Sequence, residues 1–300
     1  MPDGLLLVDK PLGISSHGVV SLTRKALDTK KVGHAGTLDP QASGLLLLGV
    51  GQATKLMTYC VGLGKTYTTT VRLGYATTTD DAEGERVVFP DGDLSVCTPE
   101  LIDHSLEGFV GRISQVPSSY SAIKVDGRRA YDLARSGHDV SLKAREVSVY
   151  SLDRGEIRVD TNWIDVDLTI SCSSGTYIRA IARDLGEVLG VGGHVVALRR
   201  TVVGPFGVED AVMVDNIAED HLLGVASAAR AIMPSVELSR GEVDHVRHGR
   251  AVECSGWPEG QPLAALDAAS GDLVAVVECF QGRSRILMGV PNPQQSGTLT

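Results

Sequence analysis

The clearest pattern in the chain is strict alternation. Ile164, Val166, Leu168, Ile170 and Cys172 are separated by Asp165, Asp167, Thr169 and Ser171, and a period of two puts the apolar set on one face of a half-buried strand. Thr66 to Leu73, rich in β-branched residues, predicts a second strand, and the unbroken run Leu45 to Leu48 a third, buried one. Near the N-terminus, Leu5 to Val8 reads as a short strand closed by the Pro11-Leu12-Gly13 turn. Ser15-Ser16 then offers an N-cap for an amphipathic helix through Val19, Leu22, Ala26 and Leu27. Thr98-Pro99 supplies the cap and first turn of a helix from Glu100 to Leu106. Thr176 opens another, with an apolar stripe of Ile178, Ile181, Leu185 and Val188 and with Arg179 and Arg183 four apart on a different face. Gly190 to Gly193 ends it, and Val195 to Leu198 makes one more strand.

Three stretches carry less regular patterns. Val32 to Gly44 reads as a long, glycine-punctuated loop, a length that in a compact domain points to function. Tyr120 to Val125 reads as strand and Asp126-Gly127 as a tight turn, after which Arg128 to Ser136 has helical spacing at Ala130, Leu133 and Ala134. Beyond a boundary near Ala228 to Pro234, Gly/Pro-rich turns separate short strands at Leu263 to Leu266, Leu273 to Val277 and Ile286 to Val290. Strands outnumber helices and no regular βαβ alternation appears, so the expected class is α+β with a mixed or antiparallel sheet, followed by a small β-rich module. Pro293 to Thr300 is expected to be a disordered tail.

The chain has 300 residues, 43% of them hydrophobic, enough to bury the core these elements need. No export signal and no bilayer-length apolar run is visible, so a soluble, cytoplasmic protein is expected. Five scattered cysteines without a CxxC pair read as buried thiols of a reducing compartment and give no zinc framework. A net charge of −9 argues against a polyanionic partner unless charge is locally sorted, and it is. Arg24, Lys25, Lys30 and Lys31 stand against Asp28 alone, and residues 124 to 145 carry six Lys or Arg against three Asp, while acid collects at Asp80-Asp81-Ala82-Glu83-Gly84-Glu85. Each run taken singly is an ordinary solvated face.

The chemistry-bearing candidate is the run Gly33-His34-Ala35-Gly36-Thr37-Leu38-Asp39-Pro40-Gln41-Ala42-Ser43-Gly44, which holds one carboxylate in a glycine-flexed loop with Pro40 fixing the backbone after it. Gly62-Leu63-Gly64-Lys65-Thr66 resembles the end of a phosphate-binding P-loop, the basis of a rival nucleotide-binding reading. The spacing opposes it, because Tyr59 stands where the first glycine is needed and a strand pattern follows Thr66 where a helix is required. His245 and His248 lack a third ligand nearby, so no metal is expected.

The loop, together with Asp9-Lys10-Pro11-Leu12-Gly13-Ile14-Ser15-Ser16, resembles the bacterial TruB family of tRNA pseudouridine synthases. Gly64-Lys65-Thr66-Tyr67, Pro117 to Lys124, Ser174-Gly175-Thr176-Tyr177-Ile178-Arg179 and Gly193 to Arg200 recur in that family's order. The resemblance covers residues 4 to about 210; Ala35, where Thr is common, is a small departure.

It implies an isomerase, an intramolecular transferase that turns the T-loop uridine at position 55 of tRNA into pseudouridine on a flipped-out nucleotide, without metal or other cofactor. Asp39 would be the nucleophile or base, Arg179 the cation that keeps it ionised, and Tyr67 the ring that stacks on the base. His34, Tyr177, Leu198, Asp81 and Lys10 would contact or support the substrate. Lys124, Arg128 and Arg129 would belong to a basic thumb-like insertion, about 121–146, that grips the T-arm. The implied organisation is a catalytic domain over 1–229, a PUA-like domain over 230–292 and the tail 293–300, in a monomer. The rival from another class is a non-catalytic tRNA-binding or tRNA-folding protein that uses the same surface.

Overall fold

The structure, a computed structural model, describes residues 2–87, 89, 92–118, 124–125, 128–129 and 142–291. In chain order it begins with β1 (Gly4–Lys10), α1 (Ser16–Ala26), β2 (Val32–Ala35), β3 (Ala42–Val50) and α2 (Met57–Val61). Then come β4 (Lys65–Leu73), the short β5 (Ala76–Thr77) and β6 (Arg86–Val87), α3 (Pro99–Glu107), β7 (Gly111–Gln115), β8 (Lys124–Val125) and β9 (Arg128–Arg129). β10 (Arg145–Val159), β11 (Ile164–Cys172), α4 (Ile178–Val188) and β12 (Gly193–Val203) follow. The C-terminal third holds β13 (Phe206–Gly207), β14 (Val212–Met213), α5 (Val225–Ile232), β15 (Ser235–Leu238), α6 (Arg240–Arg247), β16 (Pro262–Asp267), β17 (Leu273–Phe280) and β18 (Arg283–Gly289). The chain forms two compact units. The first gathers the described residues of Met1–Pro40, Leu45–Val61 and Gly204–Thr300, the second those of Gln41–Gly44 and Gly62–Val203.

In the first unit, strands run in the order β14-β1-β3, with β1 and β14 parallel and β2 antiparallel on β3. Leu45 to Leu48 are all fully buried, which is why this strand reads as an unbroken apolar run and not as an alternation. Helix α1 lays Val19 and Val20 on Leu6, Val8, Leu46 and Leu48; each such side chain removed from water contributes about 1.5–3 kcal/mol. Ser15 caps α1 by accepting from the Gly18 N–H. A four-stranded sheet, β15-β16-β17-β18, packs Leu263, Ala265, Val274 and Val277 against Val243 and Val246 of α6.

In the second unit the start of β3 pairs in parallel with β12, and β4, β11, β10 and β7 follow antiparallel, so the sheet is mixed. The alternation over 164–172 is realised residue for residue: Val166, Leu168, Ile170 and Cys172 are buried. Helix α4 is pressed onto β12 at Gly186, where an added Cβ would overlap the backbone of Gly192 and Gly193. Burial pushes the Cys172 thiol up to about 11, and all five cysteines are buried and outside any disulfide.

Some expectations need correction. The loop expected over 32–44 is mostly strand, because β2 and β3 zip together (His34 opposite Leu48, Ala35 opposite Leu47), leaving Gly36 to Gln41 as the loop proper. Leu22 and Val188, assigned to apolar stripes, are 42% and 65% exposed; Thr23 takes a buried place on α1. Arg128–Arg129, expected as the start of a helix, pair with Lys124–Val125 as strand, and the rest of that helix and the tail 293–300 lie outside the described residues. By contrast, the strand expected from Thr66 is present and begins at Lys65, where a phosphate-binding loop would lead into a helix.

Candidate active site

The loop bearing Asp39 is pinned on both sides of that residue. Ser16, 2% exposed, donates from Oγ to the Leu38 carbonyl at 2.9 Å and accepts from the Leu38 N–H at 2.8 Å. The Pro40 carbonyl accepts from the Gly13 N–H at 2.8 Å and from Lys10 Nζ at 3.5 Å. Lys10 also donates to the carbonyls of Ile14, at 2.7 Å, and Pro11, at 2.9 Å. Residues 10–16 therefore form a cradle that holds the backbone of residues 38 and 40, and the half-buried Asp39 stands between the two fixed points. Such anchoring limits where a carboxylate can go without touching the carboxylate itself. Lys10, expected as a substrate contact, is fully buried, with its ammonium group on three main-chain carbonyls. His34 is half-buried on β2.

The second unit holds the other candidates. Tyr67, 8% exposed, lies on β4 with Arg200 of β12 and Ile170 of β11 as its register partners. Leu198 is half-buried, opposite Thr69 of β4 and Ala42 of β3, and Ala42 is three residues after Asp39 in the chain. Gly44 opposes Arg200 at φ +103°, and an added Cβ there would run into the Arg200 backbone. Tyr177 precedes α4 and is held at its main chain by Gln115: the Tyr177 N–H donates to Oε1 at 2.8 Å, and Nε2 donates to the Tyr177 carbonyl at 3.0 Å.

Arg179, on the first turn of α4, is 7% exposed. Its Nη1 donates to the Thr79 carbonyl at 2.9 Å and to Ser118 Oγ at 3.3 Å, and it pairs with Asp81 Oδ2 at 3.2 Å. Asp81 is in turn fixed by the Thr79 hydroxyl at 2.5 Å and the Glu83 N–H at 3.1 Å. One turn along α4, Arg183 donates to the Val116 carbonyl at 2.8 Å and pairs with Asp80 at 3.4 Å and Asp184 at 2.7 Å. Burial pushes the Asp80 carboxyl up, against the pull of Arg183. The acidic run is thus no free solvated loop: two of its carboxylates receive the two arginines of α4, and Gln41 Nε2 donates to Glu83 at 2.5 Å.

Gln115, Thr79 and Ser118 were not singled out from sequence, and Ser16 and Asp80 were read only as part of a helix cap and of an acidic run. Their roles come from contacts between positions far apart in the chain or with backbone groups, which residue type does not record. Lys124 pairs in register with Arg129 in the short β8–β9 hairpin, and Val125 with Arg128. Among the described residues no cluster of three potential metal ligands occurs, and no helix is long and apolar enough to cross a membrane.

Solved structures share this architecture. The crystal structure of a Cbf5-Nop10-Gar1 complex contains a chain that matches 96% of this one and is 84% covered by it, with a TM-score of 0.71 and 26% identity. A chain in the structure of an H/ACA RNP bound to a substrate RNA containing 2′-deoxyuridine matches with a TM-score of 0.69 and 24% identity, a likeness of fold, over the same shares.

The class defined by fold and loop is that of the pseudouridylate synthases. The model of the TruB family pseudouridylate synthase N-terminal domain matches residues 24–178, and that of the tRNA pseudouridylate synthase B C-terminal domain matches 179–237. The chain belongs to the TruB family. It is 47% identical to the tRNA pseudouridine synthase B of Arthrobacter sp. (strain FB24), over 99% of this chain and all of that one. It is 46% identical to that of Thermobifida fusca (strain YX), over 92% of this chain and 98% of the relative.

Proposed function

We propose that this enzyme isomerises a tRNA uridine to pseudouridine, that the uridine is the T-loop nucleotide at position 55, and that Asp39 opens the reaction. The observation that carries the reading is the doubly pinned loop, a single carboxylate held between fixed carbonyls at Leu38 and Pro40. The chain is also close to full-length relatives named for this activity. The reaction breaks the bond from ribose C1′ to uracil N1, turns the base and rejoins it through C5. A carboxylate can start this by attacking C1′ or C6, or by taking a ribose proton, and can then leave unchanged.

Arg179 is assigned to keep the carboxylate ionised. Its position is over-determined by Asp81, Thr79 and Ser118, the support a guanidinium needs if it is to hold a second carboxylate in place. Tyr67 offers an aromatic face for the extruded base, Leu198 and Tyr177 wall the uracil, and His34 meets the displaced nucleotide. Lys10 belongs to the cradle that supports the loop. Lys124, Arg128 and Arg129 are assigned to phosphates of the T-arm, where they position without reading sequence.

The test is tritium release from C5-labelled uridine in a tRNA transcript, with EDTA present. Asp39→Asn is expected to lower release by at least about 10⁴-fold while tRNA binding survives, as loss of a covalent catalyst does. Release by that variant at near the parent rate, release from a transcript with cytidine at position 55, or a requirement for metal would overturn the corresponding part of the reading.

A further inference from the structure

The basic run from Arg24 to Lys31 has no part in the site described above. In the structure it is a closed corner. Asp28, in the left-handed region at φ 43°, turns the chain out of α1. The Thr29 N–H returns to the Arg24 carbonyl at 3.1 Å, and Arg24 Nη2 donates to the Val32 carbonyl at 3.0 Å, stapling the helix end to the start of β2. Lys25, Lys30 and Lys31 all project from this corner, exposed, and none makes an ion pair among the described residues. The Gly51 N–H donates to the Lys31 carbonyl at 2.8 Å, which brings the turn Gly51–Leu56 and its exposed Lys55 alongside.

Asp28 lies within the run, Asp3 is engaged with the Gln52 N–H at 2.6 Å, and the turn Val214–Asn216, which carries Asp215, packs on α1. Within residues 24–31 four cations stand against one carboxylate, in a chain whose net charge is −9. The helix dipole accounts for Arg24 and Lys25 in the last turn of α1. It does not account for Lys30 and Lys31, which lie beyond the helix and repel their neighbours. A like-charged cluster kept on an acidic protein is what an anionic partner selects. The corner also feeds directly into β2: Lys31 to His34 is three residues of extended chain, about 10 Å at ~3.3 Å per residue. Along one strand of a nucleic-acid duplex that distance covers about three phosphates.

We propose that Lys25, Lys30 and Lys31 form a phosphate-binding surface that holds the backbone of the substrate RNA beside the Asp39 loop. The inference rests on the reading of RNA as substrate and adds to it a second grip, on the first unit, separate from the basic insertion.

The experiment compares the Lys25→Gln/Lys30→Gln/Lys31→Gln variant, and the corresponding triple Arg variant, with the parent enzyme. KM and kcat for a tRNA transcript, and tRNA affinity by direct titration, are measured between about 50 and 200 mM salt. For the Gln variant KM and Kd are expected to rise about tenfold or more, kcat to stay within about twofold, and the slope of log affinity against log salt to become shallower by about 2, at roughly 0.7–0.9 for each phosphate no longer neutralised. The Arg variant should keep parental values, since the sites need charge and not a particular head group. Parental affinity and slope in the Gln variant, or equal impairment of the Gln and Arg variants, would overturn the proposal. Failure of the functional reading looks different: the parent enzyme itself would release no tritium.

Discussion

A hydroxyl group decides where Asp39 stands. Ser16 is the only side chain among the described residues seen to bond both main-chain groups of Leu38, and both bonds are buried. Ser16→Ala leaves a donor and an acceptor unpaired, at a cost of about 1–3 kcal/mol. The expected readout is a lower urea midpoint at unchanged m, with kcat reduced more than KM is raised. From sequence, Ser15-Ser16 looked like a capping pair. Only Ser15 caps the helix; the partner of Ser16 lies 22 residues on, and residue type does not announce a bond to a backbone.

His194 carries the pH dependence at this scale. It is 1% exposed, with Nδ1 on the Tyr75 carbonyl at 3.0 Å and its ring 4.7 Å from that of Tyr75. Burial, helped by Arg72, lowers its pKa below the usual 6.5, while the Tyr75 carbonyl, Asp165 and Asp81 pull the other way. The unfolded chain therefore binds the proton first, so stability is full above pH of about 6.5 and falls as pH drops toward the folded-state value. His194→Gln should flatten the slope of unfolding free energy against pH in that window, as measured by urea titrations at successive pH values.

At the level of elements, pairing across strands does the work. Arg72 of β4 stands opposite Asp165 of β11, joined by two bonds of 2.7 Å, and its guanidinium lies 4.5 Å over the Trp163 ring. Both side chains of the pair are largely covered, 23% and 16% exposed, so it is worth more than a surface ion pair. Arg72→Met should cost about 1–2 kcal/mol, because it removes both the ion pair and the cation over the ring, with a double-mutant cycle against Asp165→Asn showing the coupling. Gly44→Ala should be far worse, about 3 kcal/mol or more, because it combines a positive φ with a collision against the backbone of β12. The alternation of β11 and the caps of α1 and α3 were readable because each rests on residues a few positions apart. The zipping of β2 onto β3 was not, since it joins Val32–Ala35 to Leu47–Val50 across a run whose glycines read as loop punctuation.

On the scale of the whole molecule, the two tryptophans report on different units, Trp163 on the second and Trp257 on the first. Trp257 packs against the core of the C-terminal sheet. That sheet belongs to the same compact unit as β1, α1 and β2, and the Leu5 and Leu223 main chains exchange two bonds of 2.8 Å within it. Ser16→Ala in a Trp163→Phe background is therefore expected to move the Trp257 fluorescence transition to lower urea. An unmoved transition would assign residues 230–292 to an independently folding module, the division expected from the turn-rich sequence.

The sequence alone determined the strand periodicities, the helix caps, the loop that carries Asp39 and, through its motifs, the family. Each of these is written in residue type at short spacing. Tertiary structure alone decided that Leu38 and Pro40 are clamped from residues 10–16 and that Arg179 and Arg183 are received by Asp81 and Asp80. Those outcomes depend on which backbone groups and charges are brought together from distant positions, and local pattern carries no record of that.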